Sequence, residues 1–118
     1  MRNFENIYID GAWIPSGGSG TIEVINAATE QVMGSIPDGV ASDVDRAVSS
    51  ARTAFDAWSQ TPVEERQKYL TRLNEALQAR SAEIAETIAG EVGMPITWST
   101  MIQAGLPVGN MATFATLL

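Results

Sequence analysis

Short β-strands and a hairpin, followed by mostly α-helices, is the architecture predicted for this chain of 118 residues. Three observations carry that expectation. Turn residues and period-two alternation dominate the first 40 positions, and helix-start signals with apolar residues three and four apart recur after Ser42. The last 27 residues, Val92 to Leu118, then carry no charge at all. The expected division is a hairpin-and-strand segment over 1–40 and a helical segment over 41–118.

The strands follow from local chemistry. Asn6 to Ile9 and Ala12 to Ile14 flank Asp10-Gly11, a two-residue hairpin signal, because the turn needs positive φ. Ser16 to Gly20 is too close to the start to link two domains and reads as a loop. Thr21 to Ile25 alternates like a strand, Asn26 to Glu30 reads as a turn, and Gln31 to Ile36 forms the next strand. Pro37-Asp38-Gly39 closes the section.

Helices come next. Ser42 is the expected N-cap of the first, with Asp45 three residues on and Val44, Ala47, Val48, Ala51, Phe55 and Trp58 on one face. Thr61-Pro62-Val63-Glu64 places Thr as the next N-cap and Pro at the first helical position. That helix should bury Leu70, Leu73 and Leu77, leaving Glu65, Arg66, Lys68, Arg72 and Glu75 outside. Ser81 is the expected cap of a third helix through Ile84 and Ile88, stopped by Gly93 and Pro95. A last helix restarts after Pro95 and should kink or break at Pro107.

The uncharged tail has two physical readings. A membrane span needs roughly 20 mostly apolar residues with basic flanks. Eight polar or proline residues interrupt 96–118, and the nearest basic residue, Arg80, lies 16 positions before Ile96. Burial against further protein is therefore the expectation, since an apolar end without a cap or polar tail suits a larger core.

Composition narrows the chemistry. A net charge of −7 disfavours nucleic acid and anionic membranes as partners. With no cysteine and no histidine, the chain has no thiolate nucleophile, no disulfide and no imidazole base or metal ligand. No apolar signal segment follows Met1-Arg2-Asn3-Phe4-Glu5, so a cytoplasmic location is expected. The carboxylates show no metal-ligand spacing. Glu64 and Glu65 point about 100° apart on a helix, and Gly17 to Gly20 precedes a strand rather than the helix a phosphate loop requires. Gly105 and Gly109 match a helix-contact spacing interrupted by Pro107. The three tryptophans are expected as core or interface anchors. On its own residues the chain has no catalytic, cofactor-binding or metal-binding group.

The succession of segments is informative as a whole. Tyr8-Ile9-Asp10-Gly11-Ala12-Trp13, then Val24 to Val32, then Ala41 to Trp58 ending Ala54-Phe55-Asp56-Ala57-Trp58, resembles the start of the NAD(P)-dependent aldehyde dehydrogenases. Glu64-Glu65-Arg66 with the following leucines, and Glu91-Val92-Gly93-Met94-Pro95, resemble that family's next helices and its E-x-G-x-P turn. The likeness runs from Ile7 to the end. Ala27, Glu30-Gln31 and Met94 depart from the family's usual proline, glycine and lysine, which bears on subfamily rather than membership.

The resemblance implies an α/β parent fold in which this chain is the N-terminal part of the dinucleotide-binding domain. It implies oxidation of an aldehyde to a carboxylic acid with NAD or NADP. A cysteine thiolate would form a thiohemiacetal, hydride would pass to the nicotinamide, and an activated water would hydrolyse the thioester. An asparagine side chain and a backbone N–H would hold the oxyanion. All those groups fall downstream in the family, so the chain alone should be inert and bind no cofactor. By spacing from Pro95, Ile102 and Leu106 would line the substrate tunnel, with plain helix packing as the competing reading. Some members hold a monovalent cation on backbone carbonyls that would fall near Val24, Ile25 and Glu91.

The implied partners are the remainder of the same dehydrogenase fold and further copies of it, as a dimer or tetramer. The rival reading is a free-standing, non-catalytic helical interaction module derived from the family. Its interface would be an exposed stripe of Met101, Leu106, Met111, Phe114 and Leu118.

Overall fold

The computed structural model describes residues 2–117. They form two units. One runs to Asn26 and resumes over Glu30–Gln60; the other takes Ala27–Thr29 and the chain from Thr61 onward.

The first unit holds all the strands. β1 (Arg2–Asn3), β2 (Asn6–Ile9), β3 (Ala12–Pro15), β4 (Thr21–Ile25) and β5 (Val32–Pro37) precede α1 (Ala41–Ser59). β2 and β3 pair antiparallel, Ile9 opposite Ala12, across a two-residue turn in which Asp10 and Gly11 take φ of 56° and 76°. This is the hairpin that Asp10-Gly11 predicts. A separate sheet has the order β1-β5-β4, with β1 parallel and β4 antiparallel to β5. Its tightest point is Gly34, paired with Arg2, where any Cβ would run into the Arg2 carbonyl. Only glycine lets the two backbones meet there.

Helix α1 does not begin as the sequence suggested. Val40 occupies the N-cap, and Ser42 lies inside the helix. Valine has no side-chain acceptor, so the cap is inverted: Asp43, in the first turn, accepts the Val40 N–H at 3.1 Å. The same carboxylate accepts the Ser16 hydroxyl at 2.6 Å and the Gly17 N–H at 2.9 Å. Arg46 stands 3.7 Å away. Asp43 is thus a buried charge, 5% exposed, that ties the glycine-rich loop to the start of α1. Those donors, the Ser16 hydroxyl first, hold its carboxyl below the ordinary value of 3.8, against the opposing cost of burial.

The apolar stripe of α1 has the predicted spacing but is not covered. Val44, Val48, Phe55 and Trp58 are all exposed. Trp13 and Trp98 are exposed as well, so none of the three tryptophans is a core residue here. Trp13 instead meets Tyr8 edge to face across the hairpin, centroids 5.3 Å apart.

The second unit is helical. α2 (Val63–Ala79) starts after Pro62 rather than after Thr61, and α3 (Ser81–Val92) starts after Arg80 rather than being capped by Ser81. The half-buried positions of α2 include Arg66, Leu70, Asn74 and Leu77, whereas Leu73 is exposed. The inward face is thus shifted from the leucine stripe and takes in Arg66, expected outside. Gly93, at φ 73°, ends α3 as expected.

A long helical run completes the unit: α4 (Ile96–Trp98), a wide-turn π-helical stretch (Ser99–Ala104) and α5 (Gly105–Leu117). The expected break at Pro107 is not seen. The helix continues through Pro107, and the irregularity appears just before it as the wide turn. The run packs α5 on α2 and the π stretch on α3. Ala85 of α3 and Ser99, Ala104 and Ala115 of the run are the buried residues among those described in this unit, so the helices meet there through small side chains.

Candidate functional site

The residues singled out from sequence, Ile102 and Leu106, lie on this last helical run, and its construction starts at Gly93. The left-handed turn there and the extended backbone of Pro95 stop α3 and redirect the chain. Ser99 then donates its N–H to the Pro95 carbonyl at 3.0 Å, closing the first new turn. Its side chain is completely buried, and its hydroxyl donates to the Ala85 carbonyl of α3 at 2.7 Å. Farther along, the Gln67 amide of α2 donates to the Ala115 carbonyl at 2.7 Å. Two side-chain clamps therefore fix both ends of the run.

The buried or half-buried residues of the run include Ser99, Ala104, Val108, Met111 and Ala115. The first interval is five residues and the rest are four, three and four. The five-residue step is the wide turn, marked by the Gly105 N–H reaching back to the Thr100 carbonyl as well as to that of Ile102. Periodicity reading at 3.6 residues per turn misses it. The signal that could have found it is the pair of small residues five apart, Ser99 and Ala104, just before Pro107.

On the other side, Met101, Ile102, Leu106, Phe114 and Leu117 are exposed, Ile102 at 41% and Leu106 at 58%. The two candidate residues thus belong to an uncovered apolar surface and not to the packed core of this unit. The five-residue interface stripe expected from sequence is not a single face: Met111 is half-buried in the inward series, and Leu118 lies outside the described residues. With no charge from Val92 onward, this surface can hold alkyl or aryl groups but cannot move a proton.

The starts of α1, α2 and α3 are ill suited to the pyrophosphate of a dinucleotide. Helix N-termini bind pyrophosphate when their N–H groups are open and unopposed by negative charge. Here α1 carries Asp43, α2 carries Glu64 and Glu65, and α3 carries Glu83 in the first turn. Asp43 already takes the N–H of Val40. Among the described residues no group of three His, Cys, Asp or Glu could hold a metal ion. No helix among them is long and apolar enough to cross a membrane.

Comparison with known proteins gives a consistent picture. Residues 13–118 match the family model described as the aldehyde dehydrogenase family. The 3-succinoylsemialdehyde-pyridine dehydrogenase of a Pseudomonas species is 39% identical over 119 aligned residues, covering 100% of this chain and 25% of that protein. A putative aldehyde dehydrogenase of Staphylococcus haemolyticus is 40% identical over 108 residues, covering 90% of this chain and 23% of its own length. Among solved structures, an aldehyde dehydrogenase from Bartonella henselae superposes with a TM-score of 0.94 at 29% identity, over 98% of this chain and 24% of that one. Aldehyde dehydrogenase C of Pseudomonas syringae, solved as a mutant with NAD+ and octanal, gives 0.92 at 36% identity, over 96% and 23%. The chain spans about a quarter of the length of the relatives it matches.

Proposed function

Because this chain belongs to the aldehyde dehydrogenase family, and corresponds to an N-terminal portion of it, we propose that it works as part of an NAD(P)-dependent enzyme that oxidises an aldehyde to a carboxylic acid. Its share of the work is structural. The strand-bearing unit and α1 cover the dinucleotide-binding sheet, and the helical run places Ile102 and Leu106 along the substrate tunnel. The nucleophile, the base and the pyrophosphate cradle belong to the rest of the enzyme: this chain has no cysteine and no histidine, and the first turns of α1, α2 and α3 carry acidic residues.

The observation that carries this reading is the mismatch between packing and hydrophobicity. Among the described residues few are buried, and Ile9 is the one large apolar side chain among them, whereas Phe55, Trp58, Trp98, Met101, Leu106 and Phe114 are exposed. Apolar surface of that kind, at roughly 25 cal/mol per Å², calls for a partner. In this proposal the partner is the remaining part of the dehydrogenase fold, which further associates as a dimer or tetramer in the cytoplasm. The isolated chain is expected to show no NAD(P)-dependent aldehyde oxidation and no binding of NAD+ by calorimetry. Turnover by the 118 residues alone would refute the assignment of catalysis to other residues.

A further inference from the structure

The wide turn is built, not incidental. Ser99 pins its start to α3 through the Ala85 carbonyl, and Gly105 closes it by donating to the Thr100 carbonyl five residues back. A Cβ at position 105 would lie 3.0 Å from that Thr100 oxygen, so an alanine methyl would press on the carbonyl that defines the turn. Gly109, one turn on, has nothing within 4 Å of an added Cβ. Pro107 has no N–H to offer the Gln103 carbonyl, which removes one of the bonds that would restore regular α-helix.

Ile102 lies inside this turn and Leu106 two residues after it. A regular helix advances about 100° per residue and would offset residues four apart by about 40°. A wide turn advances less per residue, which brings Ile102 and Leu106 nearer to one line along the exposed side. We infer that the π turn Ser99–Ala104 sets which aldehydes the tunnel accepts, with Gly105 as its positioning residue; this rests on the reading of Ile102 and Leu106 as tunnel-lining. The turn presents the two apolar side chains as a single strip against the alkyl part of the substrate. Relaxing it rotates Ile102 out of that strip and changes the room available for long chains without touching the reacting carbonyl.

The test is a hybrid enzyme in which this chain replaces the matching segment of the Pseudomonas syringae dehydrogenase. kcat and KM are measured for straight-chain aldehydes from propanal to octanal. Ile102→Ala and Gly105→Ala are each expected to change the octanal-to-propanal ratio of kcat/KM about five- to tenfold, mostly through KM. Gly109→Ala should leave the ratio within about twofold. Pro107→Ala, which adds no atom near Thr100 but restores an N–H, should also shift the ratio. If Ile102→Ala leaves the ratio unchanged, the tunnel-lining reading fails and takes this inference with it. If Ile102→Ala shifts the ratio and neither Gly105→Ala nor Pro107→Ala does, the inference fails alone. Equal loss of activity towards every aldehyde in those two variants would also overturn it, because a selection device must discriminate.

Discussion

Ser99→Leu is expected to destabilise the helical unit by about 3 kcal/mol, read as a lower urea midpoint by circular dichroism. Ser99 is completely buried where the wide turn meets α3, and Ala85, whose carbonyl it bonds, is 1% exposed. Leucine adds three carbons where helices approach through small side chains, and overpacking of that kind costs about 1–3 kcal/mol. Loss of the hydroxyl bond to the Ala85 carbonyl adds about 1 kcal/mol. Thr97→Leu, two residues earlier at an exposed position, should change stability by no more than about 0.5 kcal/mol. Equal effects at the two sites would mean that the contact between the run and α3 is not close-packed.

Asp43→Ala should have the largest effect in the strand-bearing unit, lowering its melting midpoint by about 5–10 °C. The substitution strands the N–H of Val40, the N–H of Gly17 and the hydroxyl of Ser16 together. The wild type also carries an acid signature. Its folded carboxyl titrates below the ordinary 3.8, so the unfolded chain takes up a proton first as pH falls. The stability from this group is complete above the unfolded value and is lost as pH drops through the folded one. Asp43→Asn, which cannot ionise, should flatten the decline in stability below about pH 4. An unchanged acid limb in that variant would remove the carboxylate from the account of the loop.

Much of the fold was legible because its signals are local. Asp10-Gly11 specifies the hairpin through two positive φ values that few residue types tolerate. Gly93 and Pro95 stop one helix and start the next for equally local reasons. Two of the misreadings involve contacts distant in sequence. Ser42 has the right chemistry for a cap, but Val40 holds the position because Asp43 recruits donors from Ser16 and Gly17. Leu73 keeps helical spacing with Leu70 and Leu77 yet is exposed, because the face of α2 that turns inward also takes in Arg66 and Asn74.

The candidate site was legible only in part. Ile102 and Leu106 came from the family resemblance, placed by their spacing after Pro95, and the helix that carries them is present. The wide turn that contains Ile102 and precedes Leu106 was hidden because a fixed period of 3.6 residues cannot register a five-residue step. The tryptophans, expected as core or interface anchors, are all exposed in this chain. Large aromatic residues imply burial, but their burial can depend on surfaces beyond the matched quarter of the family's length.

The central claim is that this chain is a working N-terminal portion of an aldehyde dehydrogenase and contributes structure rather than chemistry. The most direct measurement is NADH formation from octanal by the unsubstituted hybrid with the Pseudomonas syringae enzyme, beside the isolated chain. Turnover within about a hundredfold of the intact relative, with none from the chain alone, is the predicted result, since misplacement by about 1 Å can cost that much. A folded, soluble hybrid that binds NAD+ yet oxidises no aldehyde would contradict it.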